Sequence, residues 1–496
     1  MSPDLSQNLV LFGPEICTVA FLVILFLFDA FLPRTRTSYF PLVATVLGCL
    51  FGSWLTWRLG VVNTRFFGGL VTSDGLSTFF RYFFFFAAAM SLYAAYGSKE
   101  LEGKSRMEFT LLLLCVTFGL SLMALASNLL TLYIAIETVS IISFVMAGFG
   151  RENLRSNEAS FKYLVFGGLA SGLMLYGFSL IYGYTGSLDY LQIGQFLRNP
   201  AEGHLPFLMV MALVLVYAGL AYKISAFPMH FWTPDVYEGA PTPVATFFSV
   251  APKAAGFAAF IRILMEVCVF KSPEGQWVSG TGPFLVPGLA FLSAATMVVG
   301  NLSAIGQKSV KRMLAYSSIA HVGYLMMGLV TLTSEGLTAV LFYLVVYCAM
   351  NIGAFWVVSI VADHRGSDDL EAFSGMGWKM PVLGVGMAIF LFSLTGIPLF
   401  SGFVGKFLLF GAVMKTKGFL WLALLGVLNS VVSLYYYAKV LKAMWLERPE
   451  AGSPPEKLSL YHAIGIVGLA IPTVVLGLFF APIIRFAQRS LEAFLG

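Results

Sequence analysis

Apolar residues run in long unbroken stretches along this chain, and the polar positions fall almost entirely between them. A membrane-spanning helix needs about 20 mostly apolar residues. That ruler places about fourteen spans, near residues 9–31, 38–58, 76–97, 107–123, 126–149, 158–183, 205–226, 242–268, 282–304, 310–331, 335–361, 381–413, 418–440 and 460–483. The runs are continuous rather than alternating, which excludes a transmembrane β-barrel. The two longest connections are 185–204, which includes the weakly amphipathic SLDYLQIGQFL, and 441–459, which is polar and contains proline. No connection is long enough to fold as a soluble domain. The first span follows MSPDLSQN, with neither a basic n-region nor a small-residue cleavage site, so it reads as a retained helix and not a signal peptide.

Composition agrees with an all-α polytopic membrane protein. Of 496 residues, 58% are hydrophobic and 11% charged, whereas a soluble domain carries about 25% charged residues. A soluble globular protein, a disordered chain and a nucleic-acid binder are thereby excluded. The net charge of +5 attracts no particular class of partner, and the placement of the charges says more. With span-end residues assigned to the loops they flank, odd-numbered connections hold 16 Lys and Arg, against 8 in the even-numbered ones and the termini. Positive charge accumulates on the cytoplasmic side. The odd-numbered connections are therefore expected there, with both termini on the opposite side. The cysteines Cys17, Cys49, Cys115, Cys268 and Cys348 lie far apart, each inside an apolar run, and none makes a Cys-x-x-Cys pair. They read as small hydrophobes. The histidines show no metal-ligand spacing, so no cofactor, metal or redox centre is expected in the chain itself.

The charges inside the spans carry the chemistry. Lys223, Lys253 and Lys406 are deep, Lys162 lies about one turn inside its span, and Glu137 is mid-span in LTLYIAIETVSIISF. Glu15 lies within the first span, and Arg81, Arg262 and Glu266 sit near span ends, where the arginines can snorkel toward water. A charge at mid-bilayer costs about 2.5–3.5 kcal/mol on insertion scales. One reading is a set of ion pairs that hold helix register, but such pairs are often no better than hydrophobic replacements. The other is an ion or proton pathway. All three deepest basic residues are lysines, which gain and lose protons as their surroundings change, whereas arginine does not. His230 and His321, near or within spans, are packed histidines by default and possible relay members by their polar surroundings.

Helix breakers accompany two of these lysines. Lys223 precedes SAFPMHFW, with Pro228, and Lys406 follows LTGIPLFSGFVG, where Gly396, Pro398, Gly402 and Gly405 crowd one span. A broken span with an ionisable residue in each half points to an inverted-repeat transporter core. The reading is two inverted five-helix repeats, broken at helices 7 and 12. They occupy 107–268 and 269–445, with an N-terminal three-helix segment (1–106) and a last helix within 446–496. The glycines of FGGLASG, Gly167, Gly168 and Gly172, read as close helix packing, and the FFRYFFFF run (79–86) reads as lipid-facing or interfacial.

Three segments then resemble a known family. YKISAFPMHFWTPDVYEGAPTPVATFFSVAPKAAGF (222–257), KRMLAYSSIAHVGYLMMG (311–328) and SLTGIPLFSGFVGKFLLF (393–410) are similar to the signatures of the antiporter-like membrane subunits of respiratory complex I. The likeness runs from about span 4 through span 13, with a further match around Pro14 and Glu15. It is closest to the subunit N branch, the homologues of mitochondrial subunit 2, on two features. No long lateral helix follows the fourteenth span, and Lys406 stands where the M branch typically has a glutamate. The resemblance implies a proton relay of Glu137, Lys223, Lys253 and Lys406, matching the fifth-, seventh-, eighth- and twelfth-helix charges of the family. Lys162 and His230 also match positions the family uses. Glu137 and Lys223 are expected to form a switchable ion pair, His321 to bridge the two halves, and Lys406 to release protons to the non-cytoplasmic side. The resemblance further implies a cell inner-membrane location and paralogous membrane-arm subunits as partners. NADH, FMN, iron–sulfur clusters and quinone would be used by other subunits. The superfamily also includes subunits of multi-subunit cation/proton antiporters, which is the alternative reading.

Overall fold

The computed structural model describes residues 5–31, 39–101, 105–198, 207–272, 277–281, 283–447 and 457–495. The N-terminal part comprises α1 (Leu5–Leu11), α2 (Gly13–Phe31), α3 (Phe40–Leu59), the short hairpin β1 (Thr64–Phe66) and β2 (Val71–Ser73), and α4 (Gly75–Tyr96). The next set is α5 (Ser105–Leu125), α6 (Leu129–Ala147), α7 (Leu154–Thr185), α8 (Tyr190–Arg198), α9 (Phe207–Ile224), α10 (Trp232–Gly239), α11 (Thr242–Phe248) and α12 (Ala251–Ile263). A π-helical turn (Leu264–Cys268) and a hairpin of β3 (Val269–Lys271) with β4 (Trp277–Ser279) follow. Then come α13 (Leu285–Ile305), α14 (Val310–Val330), α15 (Ser334–Arg365), α16 (Met376–Lys379), α17 (Pro381–Thr395), α18 (Ser401–Lys415) and α19 (Leu420–Trp445). The chain closes with α20 (Leu460–Leu478) and α21 (Ala481–Leu495). Among the described residues 13 helical segments are long and apolar enough to cross a membrane. The broken pair α17 and α18 supplies the remaining crossing.

Local chemistry sets the ends of these helices. Asp74 and Ser77 form a reciprocal capping box at α4, and Asn128, Asn153, Ser309 and Thr333 cap α6, α7, α14 and α15 through side-chain oxygens. The same order of elements then recurs in both halves. A 32-residue helix, α7 or α15, ends at a left-handed glycine, Gly186 or Gly366. Beyond each glycine an aspartate bridges back to the N-cap of the preceding helix, Asp189 to Asn128 and Asp369 to Ser309. A broken helix follows in each case. Five crossings separate the corresponding elements, an odd number, so the two repeats are inverted.

The most enclosed segments are 242–268, α14 and α15, and the outer helices present apolar flanks. Close packing at the centre depends on small residues. A Cβ at Gly300 of α13 would lie 2.5 Å from the Ala320 nitrogen, and one at Gly323 of α14 would lie 2.6 Å from the Met297 nitrogen. In FGGLASG only Gly167 packs this way, against Phe144 and Tyr222, while Gly168 and Gly172 face open space.

Three sequence readings are corrected. First, the segment 242–268 is not one continuous helix but is interrupted at Ser249 and Val250. Second, the phenylalanine run is mostly buried: Phe79, Phe80, Phe83, Phe84 and Phe85 are covered and Phe86 is exposed. The covering comes from α3, α5, α11 and α12 and, over Phe79, from α21, an element the sequence reading missed, whose Phe486 stacks on Phe79 at 5.6 Å and whose Ser490 backbone meets Gly75. Third, Arg81 and Arg262 do not snorkel. Arg81 makes two 2.8 Å bonds to Glu15, which also accepts from Ser121. Arg262 makes 2.7 and 3.1 Å bonds to Asp74 and a 2.8 Å bond to Glu266. Both guanidiniums are fully enclosed. Hydrogen-bonded carboxylates stand in for water, so the chains need not reach it.

Arg262→Met leaves Asp74 buried without its countercharge. We expect a loss of about 3–5 kcal/mol, the usual cost of breaking a buried pair, and recovery of much of it when Asp74→Asn, which removes the charge but can still cap α4, is added. The thermal dissociation temperature of this subunit in detergent reads both effects.

Candidate functional site

Glu137 and Ser140 lie one turn apart on α6, and Lys223 reaches that turn from the last turn of α9. Lys223 Nζ donates to Ser140 Oγ at 3.1 Å. Glu137 is half-buried, and its Oε1 is enclosed without a hydrogen-bond partner among the described residues. The two charges thus approach the same turn without touching. Beyond Lys223 the chain breaks: Ser225 takes φ 66° and Phe227–Pro228 is cis. The freed backbone groups find partners, with the Phe227 N–H donating to Thr296 and its carbonyl accepting from Tyr217. His230 lies in this break, buried between Phe227 and Phe231, with Nδ1 lacking a hydrogen-bond partner among the described residues. It makes no bond to Lys223.

Lys162 is placed elsewhere. Its side chain is 36% exposed and pairs with Glu158 at 2.8 Å and Asp235 at 2.7 Å. Asp235 also holds Arg312 at 2.7 Å, and Arg312 pairs in turn with Glu238. These groups line a polar vestibule of about 210 Å³. Sequence reasoning singled out Lys162 but not its partners. The signal was present in the two acids of TPDVYEG and the Lys311–Arg312 doublet at the start of a span. The stacked rings of Tyr163 and Trp232, 4.4 Å apart, lie below the vestibule, and Trp232 donates to the Tyr222 carbonyl beside Lys223.

Lys253 stands just past the Ser249–Val250 interruption, near the start of α12. Its Nζ donates to Ser318 Oγ at 2.6 Å and lies 5.5 Å from the Tyr237 ring centroid. One turn on, a Cβ at Gly256 would touch Ile224 and the Cβ of Lys223, so α12 crosses α9 between the two lysines. His321 follows Ser318 at the i+3 position of α14. Its Nδ1 meets Tyr343 Oη at 2.7 Å and its Nε2 meets Tyr437 Oη at 3.2 Å. Tyr324 is three residues further on the same face, and its ring lies 4.5 Å from Lys406 Nζ. Lys406 donates to the Thr395 carbonyl at 2.9 Å and to Ser430 at 3.2 Å. Thr395 is the last residue of α17, so this carbonyl is available because the helix breaks there. Lys406 also borders a cavity of about 370 Å³ lined by Gly396, Phe403, Phe407 and Val431.

Ser318, His321 and Tyr324 therefore form one polar stripe on α14 that runs from Lys253 to Lys406. Residues three apart on a helix share a face, and the spacing was legible in SSIAHVGY, although only His321 was singled out. The hydroxyls of Tyr237 and Tyr347 are buried near the stripe with no hydrogen-bond partner among the described residues, as are Ser225 Oγ and Thr233 Oγ1 near the first break. Buried polar atoms of this kind ordinarily bind water. Among the described residues no group of three or more His, Cys, Asp or Glu is placed to hold a metal ion.

Comparison with known proteins places this geometry in context. The family described as NADH:quinone oxidoreductase/Mrp antiporter, TM, matches residues 126–433. The chain is 37% identical to NADH-quinone oxidoreductase subunit N of Anaeromyxobacter sp., over 100% of this chain and 99% of that one. It is 42% identical to NADH-quinone oxidoreductase subunit N 2 of Sorangium cellulosum, over 99% and 98%. Among solved structures, a chain of respiratory complex I from Thermus thermophilus is 32% identical, with a TM-score of 0.77 over 96% of this chain and 99% of that one. A chain of the Mrp complex from Dietzia sp. shares the fold at a TM-score of 0.82 and 21% identity, over 99% and 100%.

An experimental map that resolves water should show at least one ordered molecule bonded to Tyr237 Oη or Tyr347 Oη. Dry density around both hydroxyls would remove the link they offer between Lys253 and His321.

Proposed function

The chain belongs to the NADH:quinone oxidoreductase/Mrp antiporter transmembrane family, in its subunit N branch, and on that premise we propose that it moves protons through a buried relay of Glu137, Lys223, Lys253, His321 and Lys406. It is a membrane subunit of a translocase complex, and the redox reaction that drives it is carried by other subunits. NADH, FMN, iron–sulfur clusters and quinone belong there.

One observation carries the relay reading. Each deep lysine is held by neutral oxygens, Ser140 for Lys223, Ser318 for Lys253, and Thr395 with Ser430 for Lys406. The buried arginines, by contrast, are held by paired carboxylates. A scaffold built to fix register would pair its charges, as the arginines do. A lysine on hydroxyls is not locked by a countercharge, so its proton can leave and return. Glu137, on the flank of α6 beside exposed Ile134 and Ile141, is the group that a neighbouring antiporter-like subunit would approach. Its approach to or withdrawal from Lys223 sets the charge on that lysine. The proton then passes along α12 and the α14 stripe to Lys406. Lys162 belongs to the vestibule that admits water toward Lys223, and His230 to the break beside it.

The two inverted halves, 107–268 and 269–445, form one relay, with the Lys- and Arg-rich connections on the cytoplasmic side and both termini opposite. Each proton driven against 100 mV costs about 2.3 kcal/mol, so Lys406, nearest the second break, must release under load. The antiporter alternative is not favoured, since the full-length relatives at 37% and 42% identity are NADH-quinone oxidoreductase subunits.

Proton pumping by the assembled complex, measured as NADH-driven acidification of membrane vesicles, tests the relay. Glu137→Gln and Lys253→Met should each abolish most pumping while the complex still assembles. Lys406→Arg should do the same, because arginine keeps the charge but does not release the proton. Normal pumping by Lys406→Arg would make that position a fixed charge and move the exit elsewhere.

A further inference from the structure

The relay accounts for only part of the polar surface buried in the second half. α19 carries Asn429, Ser430, Ser433, Tyr436 and Tyr437 at positions i, i+1, i+4, i+7 and i+8, a stripe turned inward along a spanning helix. Ser430 serves Lys406. Tyr436 and Tyr437 lie two turns closer to the end of α19 that meets the connection 305–309, and the relay does not require them.

We infer that Tyr437 and Ser317 form a second proton entrance, reached by water past the Tyr436 ring and joining His321 to the face that carries Lys308 and Lys439. The inference rests on the relay reading, since the branch delivers its proton to a relay member. His321 Nε2 meets Tyr437 Oη at 3.2 Å, and Tyr437 Oη shares a short hydrogen bond with Ser317 Oγ. Both partners are hydroxyls, which donate and accept at the same oxygen. A proton arriving on one lone pair therefore lets the resident proton leave toward Nε2, with one proton in and one out at each step. The Tyr436 ring lies against Tyr437, 4.5 Å between centroids. Tyr436 also borders a small cavity of about 10 Å³ shared with Gln307, Ser309 and Lys439, which is about the space one water needs. Lys439 stands over this cavity and donates to the Ile305 carbonyl at 3.0 Å.

Asn301 has a different task. It accepts from Tyr436 Oη at 2.9 Å, and its amide nitrogen donates to Asn429 at 3.1 Å and to the Met297 carbonyl at 3.0 Å. An amide does not pass protons as a hydroxyl does. Asn301 is a positioning residue that fixes the direction of the Tyr436 hydroxyl and prevents the polar stripe from short-circuiting straight to Lys406.

The test uses the whole complex in membrane vesicles, with Lys253→Met measured in parallel. Tyr437→Phe removes one oxygen and keeps the ring, and NADH oxidation confirms assembly. Gln307→Cys, in a background without the five native cysteines, is compared before and after a membrane-impermeant methanethiosulfonate added from either side. We expect Tyr437→Phe to lose the share of pumping fed through this branch, and labelled Gln307→Cys to lose it only when the reagent reaches the Lys308 face. A purely structural role for these residues would not give that sidedness. If Lys253→Met stops pumping while Tyr437→Phe and labelled Gln307→Cys pump normally, the entrance is overturned and the relay stands. If Lys253→Met itself pumps normally, the relay reading falls and the entrance with it.

Discussion

A cation inside hydrocarbon must find every hydrogen-bond acceptor within the protein, and the rest of this structure is arranged around that constraint. Helix breaks answer it at two of the deep lysines. The end of α17 leaves the Thr395 carbonyl free for Lys406. The interruption at Ser249 and Val250 places Lys253 at the start of a helix, where it turns toward Ser318. Lys223 lies in the final turn of α9, just before the strained backbone of Ser225. Breaks expose backbone groups of their own, so each needs nearby donors and acceptors, such as Thr296 and Tyr217 at the first and Ser393 at the second.

Two classes of buried charge result, and they do different work. Arg81 with Glu15, and Arg262 with Asp74 and Glu266, are closed clusters with matched geometry. Arg65 extends the second cluster to Asp189, tying the β1–β2 hairpin to the segment before α8. Guanidinium and carboxylate groups match bidentately and keep their charges, so these clusters hold the N-terminal helices to the first repeat. The deep lysines are bound by neutral oxygens instead, one each at Lys223 and Lys253 and two at Lys406.

The spine connecting the halves is α14. It packs closely on α13 because Gly300 and Gly323 let the two backbones approach, and this contact leaves its opposite face for the Ser318–His321–Tyr324 stripe. Tyr343 from α15 and Tyr437 from α19 then close over His321. The consecutive helices α14 and α15 and the later α19 thus meet at one imidazole.

Much of this was legible in the sequence. Hydrophobic run length determined the crossings, because lipid accepts only helices with internally satisfied backbones. Pro228, Pro398 and the glycines around Lys406 marked both major breaks, and the rarity of charge within spans singled out Glu137 and the three lysines. Tertiary structure alone decided the rest. Whether Arg81 reached water or met Glu15 depended on how α2 and α4 pack, and the run at 79–86 became core because α3, α5, α11, α12 and α21 pack around α4. Lys162 belonged to a vestibule rather than the buried axis because α10 and α14 bring Asp235 and Arg312 to it. Periodicity within one helix shows which side chains share a face, but the partner that face meets is set by the packing of segments far apart along the chain.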